Sequence, residues 1–486
     1  MLAAWFTQQL LFDGVVNGLV IGLIALGVVL VYRSSRVVNF AVGNMGLIGA
    51  ALLPLLTIDY GWPFWPALAA SVLVGTLFGA VVELVVIRRL FNAPRVTVLV
   101  ATIGVAQLAL AIVAALPDVR GTFSAAYPVA VDDAWTFGDL RVTGTQLSIL
   151  VAVPLLAAGL SWLLNRTVAG KAITAAADNP RLARTIGVNP KMTSTLVWTI
   201  AGLLSTVSMV LVSGQSGRVL GIENLGPNTM VRALAAAVLA GMVSFRWSLL
   251  TGVGIGVVQA LVRFNAPGQS GLIDVLLFVA VLVAVGLAAR RDRTDAAAAT
   301  ATFAFGTRAR PVPSRLQAVW WVRHLDRLAF GLLLAAAVAL PFVVTAPSRQ
   351  LLYATILAFA LCATSLTVLT GWAGQLSLGQ MAFAGLGALL AAGLARGLEA
   401  DVGFGDSTLL AVDLPRFTFA TSVVLAALVT AGLAAVIGLV SLRVRGLLLA
   451  VTTFAFAVAA SAYLYRRPVL SGGASTSVRF PRTKEA

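Results

Sequence analysis

The chain alternates long apolar runs with short polar connections. Apolar runs at 14–32, 40–57, 67–87, 96–116, 147–164 and 193–212 are followed by a broken pair, 230–244 and 247–262, and by 271–289. About 20 apolar residues at 1.5 Å per residue cross the hydrocarbon of a bilayer, so the pattern predicts membrane-spanning helices. The run 230–244 is short for that. With its neighbour it reads as two spans or as a re-entrant hairpin hinged at Phe245-Arg246-Trp247, a break that is tolerated where it is buried in protein or lines a cavity. A second set follows at 328–345, 351–370, 376–394, 417–440 and 447–463. The expected fold class is an all-α polytopic membrane protein with two tandem helical blocks, about nine plus five membrane segments by this spacing. The first block covers 1–290, a basic linker with Pro311 and Pro313 covers 291–327, the second block covers 328–465, and a polar tail covers 466–486.

The two blocks read as copies of one design. Residues 36–50 (RVVNFAVGNMGLIGA) align without gaps on 374–388 (GQLSLGQMAFAGLGA), with Gly49 on Gly387 and Ala50 on Ala388. Each stretch follows a long apolar run and opens the next. Farther on, 98–104 resembles 450–455, again after an arginine-bearing connection. Repeats of this kind argue for a two-fold pseudo-symmetric assembly around a central path. The second copy stops early. In the first copy an acidic connection, another span and the polar stretch 170–190 follow the equivalent point; in the second only 466–486 follows, with no apolar run.

Composition and charge narrow the class. Of 486 residues, 59% are hydrophobic and 11% charged, more apolar side chain than a soluble core buries. The net charge of +16 would suit a nucleic-acid partner, but many of the basic residues cluster at the ends of apolar runs, so the partner they indicate is the lipid bilayer and no nucleic acid is expected. Arg33 and Arg36, then Arg88, Arg89 and Arg95, then Arg166, Lys171, Arg181, Arg184 and Lys191 fall on alternate connections, as do Arg246, Arg290 and Arg293, and later Arg443 and Arg445. The opposite connections carry Asp59, Asp118, Asp132, Asp133 and Asp139, then Glu399, Asp401, Asp406 and Asp413, with Arg120, Arg141 and Arg218 as exceptions. The positive-inside rule then places the N-terminus and the tail outside, and 170–190 and the linker in the cytosol. The first run lacks a basic flank and is long for a signal peptide, so it reads as a retained span.

The stretch 170–190, GKAITAAADNPRLARTIGVNP, is polar, charged and helix-prone, and longer than a connection between spans needs to be. Residues 172–183 read as a short helix that Pro180 interrupts, or restarts with Asn179 as its cap. Gly187 suits a left-handed helix end, with Pro190 following. A solvated basic loop and a docking element for a cytosolic partner both fit.

Catalysis has little support. Cys362 and His324 stand alone among their kinds, which removes an intrachain disulfide and any cysteine- or histidine-based metal site. Gly170-Lys171 is followed by Ala172 and preceded by Asn165 where a P-loop needs its first glycine, so no ATP site of that type is expected. Glu83, within two turns of Arg88 and Arg89, is the nearest approach to a carboxylate inside a span, and ion-driven transport therefore has few groups to use. The spans contain neutral polar residues instead: Asn39 and Asn44 at the opening of the second span, Ser377 and Gln380 in the matching place on one helical face, Gln107 and Gln259 elsewhere. Each can be an interhelical hydrogen bond. Together, polar groups at equivalent sites of two copies favour a path for a small polar solute, with Asn39, Asn44, Ser377 and Gln380 as its candidates.

Residues 39–50 (NFAVGNMGLIGA) resemble the asparagine-phenylalanine-alanine motif of one permease subunit of branched-chain amino acid ABC importers, and 369–388 (LTGWAGQLSLGQMAFAGLGA) is similar to the signature of the partner subunit. The run 170–189 looks like that family's cytosolic coupling loop. The resemblance implies two permeases fused in order, the second incomplete. It further implies ATPase subunits docked at Ala176, Asp178, Asn179, Pro180, Arg181, Arg184, Ile186 and Gly187, an extracytoplasmic solute-binding protein, and another permease chain or a homodimer. No cofactor would be bound by this chain, ATP being used by the partner subunits, and the location would be the cell membrane. The alternative is an ion-coupled secondary transporter or channel for a small neutral polar solute.

Overall fold

A computed structural model describes residues 7–91, 93–117, 125–217, 227–242, 244–269, 271–291, 319–344, 346–404, 407–441 and 447–471. Most of the linker, the end of the tail, Asp118, Arg120, Arg218, Arg293, Asp406, Arg443 and Arg445 lie outside them. Ten helical segments among the described residues are long and apolar enough to cross a membrane.

The first block opens with α1 (Gln8–Ser35), which Thr7 caps by accepting from the Leu10 N–H. Its apolar residues run all the way round, and so does its burial, as expected of a helix at the centre of a bundle. After a short extended stretch come α2 (Val42–Met45) and α3 (Leu47–Pro54), then α4 (Phe64–Val82), which continues through a π-turn at Glu83–Ile87, and α5 (Arg95–Ala114). A two-stranded hairpin follows, β1 (Ala134–Phe137) and β2 (Leu140–Thr143). Next are α6 (Gly144–Arg166), two short helices α7 (Val168–Asp178) and α8 (Pro180–Thr185), and the long α9 (Pro190–Ser216). The block closes with α10 (Pro227–Leu239), α11 (Phe245–Asn265) and α12 (Leu272–Arg291).

Small residues set the closest approaches. A Cβ on Gly18 would stand 2.5 Å from Val253 Cα and 2.7 Å from Gly252 O, so α1 and α11 meet backbone to backbone. In the groove between α1, α3 and α4 lies α9, whose Gly202, Ser205 and Thr206 touch Gly79, Gly46 and Gly75 in turn. Tyr127, in the connection before β1, is buried and donates its hydroxyl to Ala50 O at 2.9 Å. Burial pushes that phenol up, and it stays protonated.

The broken pair is broken earlier than the sequence suggests. Phe245-Arg246-Trp247 is the first turn of α11, capped by Ser244, whose hydroxyl accepts from Trp247 N–H. The reversal begins at 240–242, where Gly241 (φ 72) and Met242 (φ 60) are left-handed. A charged residue marked the wrong place because a cap and a helix stop, not Arg246, end the helix. The shorter arm, α10, has 13 residues, about 20 Å of helix, and its far end is buried at Ala236 and Ala237.

The second block contains α13 (Leu325–Val343), α14 (Pro347–Gly371), α15 (Gln380–Arg396), the hairpin β3 (Leu398–Phe404) and β4 (Ser407–Leu414), α16 (Phe419–Ser441) and α17 (Leu447–Ala462). Both hairpins occupy acidic connections that the apolar pattern leaves unassigned. Because α15 starts at Gln380 and the residues before it are not helical, Ser377 and Gln380 do not share a helical face. The blocks join where α17 packs on α10 and α12.

Candidate functional site

The stretch 168–189 forms a rigid angled ledge at the end of the bundle that carries Arg33, Arg88 and Arg166. Thr167 caps α7 by accepting from the Gly170 N–H at 3.1 Å. Asn179 then ends α7 and restarts the chain as α8, its Oδ1 accepting from Arg181 and Leu182 N–H, with Pro180 at the first helical position. Ile186 and Gly187 close α8. Gly187 has φ 86, and the Val188 N–H reaches back to Ala183 O at 2.9 Å, the hydrogen bond of a left-handed helix stop. Asn189 accepts from Lys191 N–H and opens α9 directly.

The ledge has two faces. Ile173, Ala176 and Ala183 point into the bundle, where α7 packs on α1, α6 and α9. Ala176 is therefore part of the support, not of the surface. Asp178, Asn179, Pro180, Arg181, Arg184, Ile186 and Gly187 are all exposed. Leu182 (62% exposed) joins Ile186 (69%) on that surface, whereas Val188 is half-buried. The sequence signal for Leu182 was its place between Arg181 and Arg184, which masked it as a basic run. A cavity of about 190 Å³ lies beneath, between Thr174, Ala177 and Asp178 of α7 and Leu30, Arg33 and Arg36. Arg33 stacks over the Phe245 ring with its guanidinium carbon 5.0 Å from the centroid.

The two motif openings are one structure built twice. Arg36 (φ 55) and Gly374 (φ 63) occupy the same left-handed position. Three residues on, Asn39 Oδ1 accepts from Ala41 N–H at 2.9 Å and Ser377 Oγ from Gly379 N–H at 3.2 Å. The next N–H groups, of Phe40 and Leu378, donate to Thr102 Oγ1 at 3.2 Å and to Thr453 Oγ1 at 3.0 Å. Asn39 and Ser377 thus hold turns. Asn44 is buried, with its amide donating to Ala106 O at 3.4 Å, and Gln380 donates to Ser365 Oγ at 2.7 Å. A cavity of about 1060 Å³ between α14, α15, α16 and α17 is lined by Ser377 and Gln380 but by neither Asn39 nor Asn44. The four do not converge on one chamber.

Among the described residues, two ion pairs lie inside the spans. Glu83, fully buried, faces Arg88 at 3.5 Å and accepts from Thr195 Oγ1 at 2.7 Å. Asp274 of α12, 2% exposed, faces Arg232 of α10 at 3.5 Å. The second pair escaped the sequence reading because each partner is a single charge in a separate apolar run.

A family model described as branched-chain amino acid transport system / permease component matches residues 10–286 and 349–485, one match to each block. The chain belongs to that family. Among the permease's relatives, the high-affinity branched-chain amino acid transport system permease protein BraD of Pseudomonas aeruginosa is 29% identical over 272 residues, 52% of this chain and 85% of the relative. LivH of Escherichia coli K12, described in the same words, is 27% identical over 272 residues, 53% and 86% respectively. The autoinducer 2 import system permease protein LsrC of an Enterobacter species is 30% identical over 233 residues, 48% and 62%. No solved structure matches the permease.

Proposed function

We propose that the permease is the membrane-spanning component of an ABC importer that moves branched-chain amino acids inward across the cell membrane. The ledge at 168–189 carries the reading. It is capped at every joint, braced on three helices and exposed along Arg181, Leu182, Arg184 and Ile186. A surface of that kind transmits force only when something grips it, and ATPase subunits on the cytosolic side supply the grip and use the ATP. Burying Leu182 and Ile186 would contribute about 1.5–3 kcal/mol each before the entropy of association is deducted. An extracytoplasmic binding protein delivers the solute at the opposite end, and the N-terminus lies on that side, as the placement of the arginines supports.

Ion coupling has the buried carboxylates Glu83 and Asp274 in its favour, but Arg88 and Arg232 face them as counter-charges. The test is uptake of radiolabelled leucine by cells that carry the permease with its ATPase and binding-protein subunits. Uptake that stops on ATP depletion and persists when the proton gradient is collapsed supports the importer. The converse pattern supports the secondary transporter.

A further inference from the structure

The end of the bundle that carries Tyr127 holds a groove for which the transport reading has no use. Both α4 and α6 pack along α9, and between the three helices lies a cavity of about 280 Å³. Its floor is Val207, Val210 and Gly214 of α9, its walls are Leu68 and Val72 of α4 and Ala152 of α6, and the connection at 128–130 roofs it. Gly214 lets the roof and α6 close over that end: a Cβ there would stand 3.2 Å from Thr145 Cγ2 and 3.6 Å from Val129 Cγ1. Among the described residues, no charged side chain lines the groove. The hydroxyl of Ser148, which does line it, is already paired, donating to Gly144 O at 2.9 Å.

That lining decides the class of ligand. An amino acid brings an ammonium and a carboxylate, and burying either one without a partner is costly. Water leaves an apolar cavity dry, whereas hydrocarbon enters it: about 150 Å³ of such space takes benzene. A helix is too thick, since one turn about 10 Å across and about 5.4 Å long exceeds the volume. An extended run of methylenes fits. The rims show where such a chain comes from. Beside the lining residues Val72 and Ala152, Leu73 of α4 and Val151 of α6 are exposed. Both helices are long and apolar enough to cross a membrane, so the rims stand in lipid hydrocarbon. Trp65, 67% exposed, lines the groove where α4 begins, and tryptophan is enriched at the boundary between hydrocarbon and headgroups.

We propose that the groove between α4, α6 and α9 is a lipid site, which seats one acyl chain of a phospholipid whose headgroup lies beside Trp65. The chain lies against Phe64, Leu68 and Val210, the side chains that also pack around the buried Tyr127. The Tyr127 N–H in turn donates to Gly217 O at 2.9 Å, at the end of α9. The lipid thus backs the contact that fixes α9 at the end opposite the ledge. The site depends on neither the solute nor the ATPase, and it stands whichever way transport is driven.

The test uses the full chain in phosphatidylethanolamine vesicles that contain an analogue with a diazirine midway along one acyl chain. The protein is extracted in detergent, washed until bulk lipid is gone, and illuminated, and the adducts are mapped by peptide mass spectrometry. The expected result is label on α9 within 207–214 or at Ala152, and none at Leu77, which is exposed on α4 and does not line the groove. Ala152→Phe fills the groove and should lose the label, whereas Val151→Phe, on the exposed side of the same helix, should keep it. Both variants are first checked for wild-type elution in size-exclusion chromatography, and Ala152→Leu takes the place of Ala152→Phe if the larger side chain prevents folding. No label after washing, label at Leu77 alone, or label undiminished in the Ala152 variant would each overturn the site. So would adducts joining two copies of the chain, or loss of the wild-type label on adding leucine, which would make the groove a solute site.

Discussion

Thr195 and Glu83 are joined by a hydrogen bond of 2.7 Å from hydroxyl to carboxylate, between the first turns of α9 and the π-turn that ends α4. The same hydroxyl accepts from Arg88 Nη2 at 2.8 Å. The carboxylate is fully buried, and its other oxygen has no partner among the described residues. Since α9 starts directly after the ledge, this contact ties α9 to α4 within two turns of it.

Replacing Thr195 by valine should therefore leave Glu83 with only the long contact to Arg88. Loss of one partner from a buried charged cluster is expected to lower stability by about 2–4 kcal/mol, read as a lower melting temperature in detergent micelles. Arg89→Ala, one residue from the cluster but outside it, should leave the melting temperature unchanged.

The close contact between α1 and α11 makes a sharper steric prediction. Gly18→Val places two methyl groups where Val253 Cα and Gly252 O already stand, and overpacking of this kind against backbone destabilises by about 3 kcal/mol or more. Gly254→Ala, whose Cβ meets nothing within 4 Å, should be silent. The comparison is made by the yield of folded protein in size-exclusion chromatography after solubilisation.

The repeat predicts matched behaviour at Thr102 and Thr453. Valine at either position leaves a backbone N–H, buried at Phe40 and half-buried at Leu378, without its acceptor, at a cost of about 1–3 kcal/mol. Serine restores the oxygen and should recover most of the loss at both. If only one of the two sites responds in thermal unfolding, the openings are not equivalent.

Much of this architecture was legible in the sequence, because spans are written in long apolar runs. The cap Asn179, the stop Gly187 and the gapless alignment of 36–50 on 374–388 could be read directly, since each rests on local backbone chemistry. What could not be read depends on contacts between distant elements. Asn39 and Ser377 suggested a solute path, yet each side chain turns back to its own backbone. Arg232 and Asp274 are 42 residues apart and become a pair only when α10 and α12 pack. The reversal at 240–242 was missed because a helix start at Ser244 carries a weaker sequence mark than the charge of Arg246.

The central claim is that force from an ATPase enters through the ledge. It is tested most directly by co-purifying ATPase subunits with the permease from solubilised membranes, wild type against the double variant Arg184→Glu, Gly187→Val. Valine at a left-handed position with φ 86 strains the turn by about 1–2 kcal/mol, and glutamate reverses the charge of one of the two exposed arginines of α8. The account predicts normal membrane insertion and loss of bound ATPase in the variant. ATPase bound equally by both proteins would contradict it.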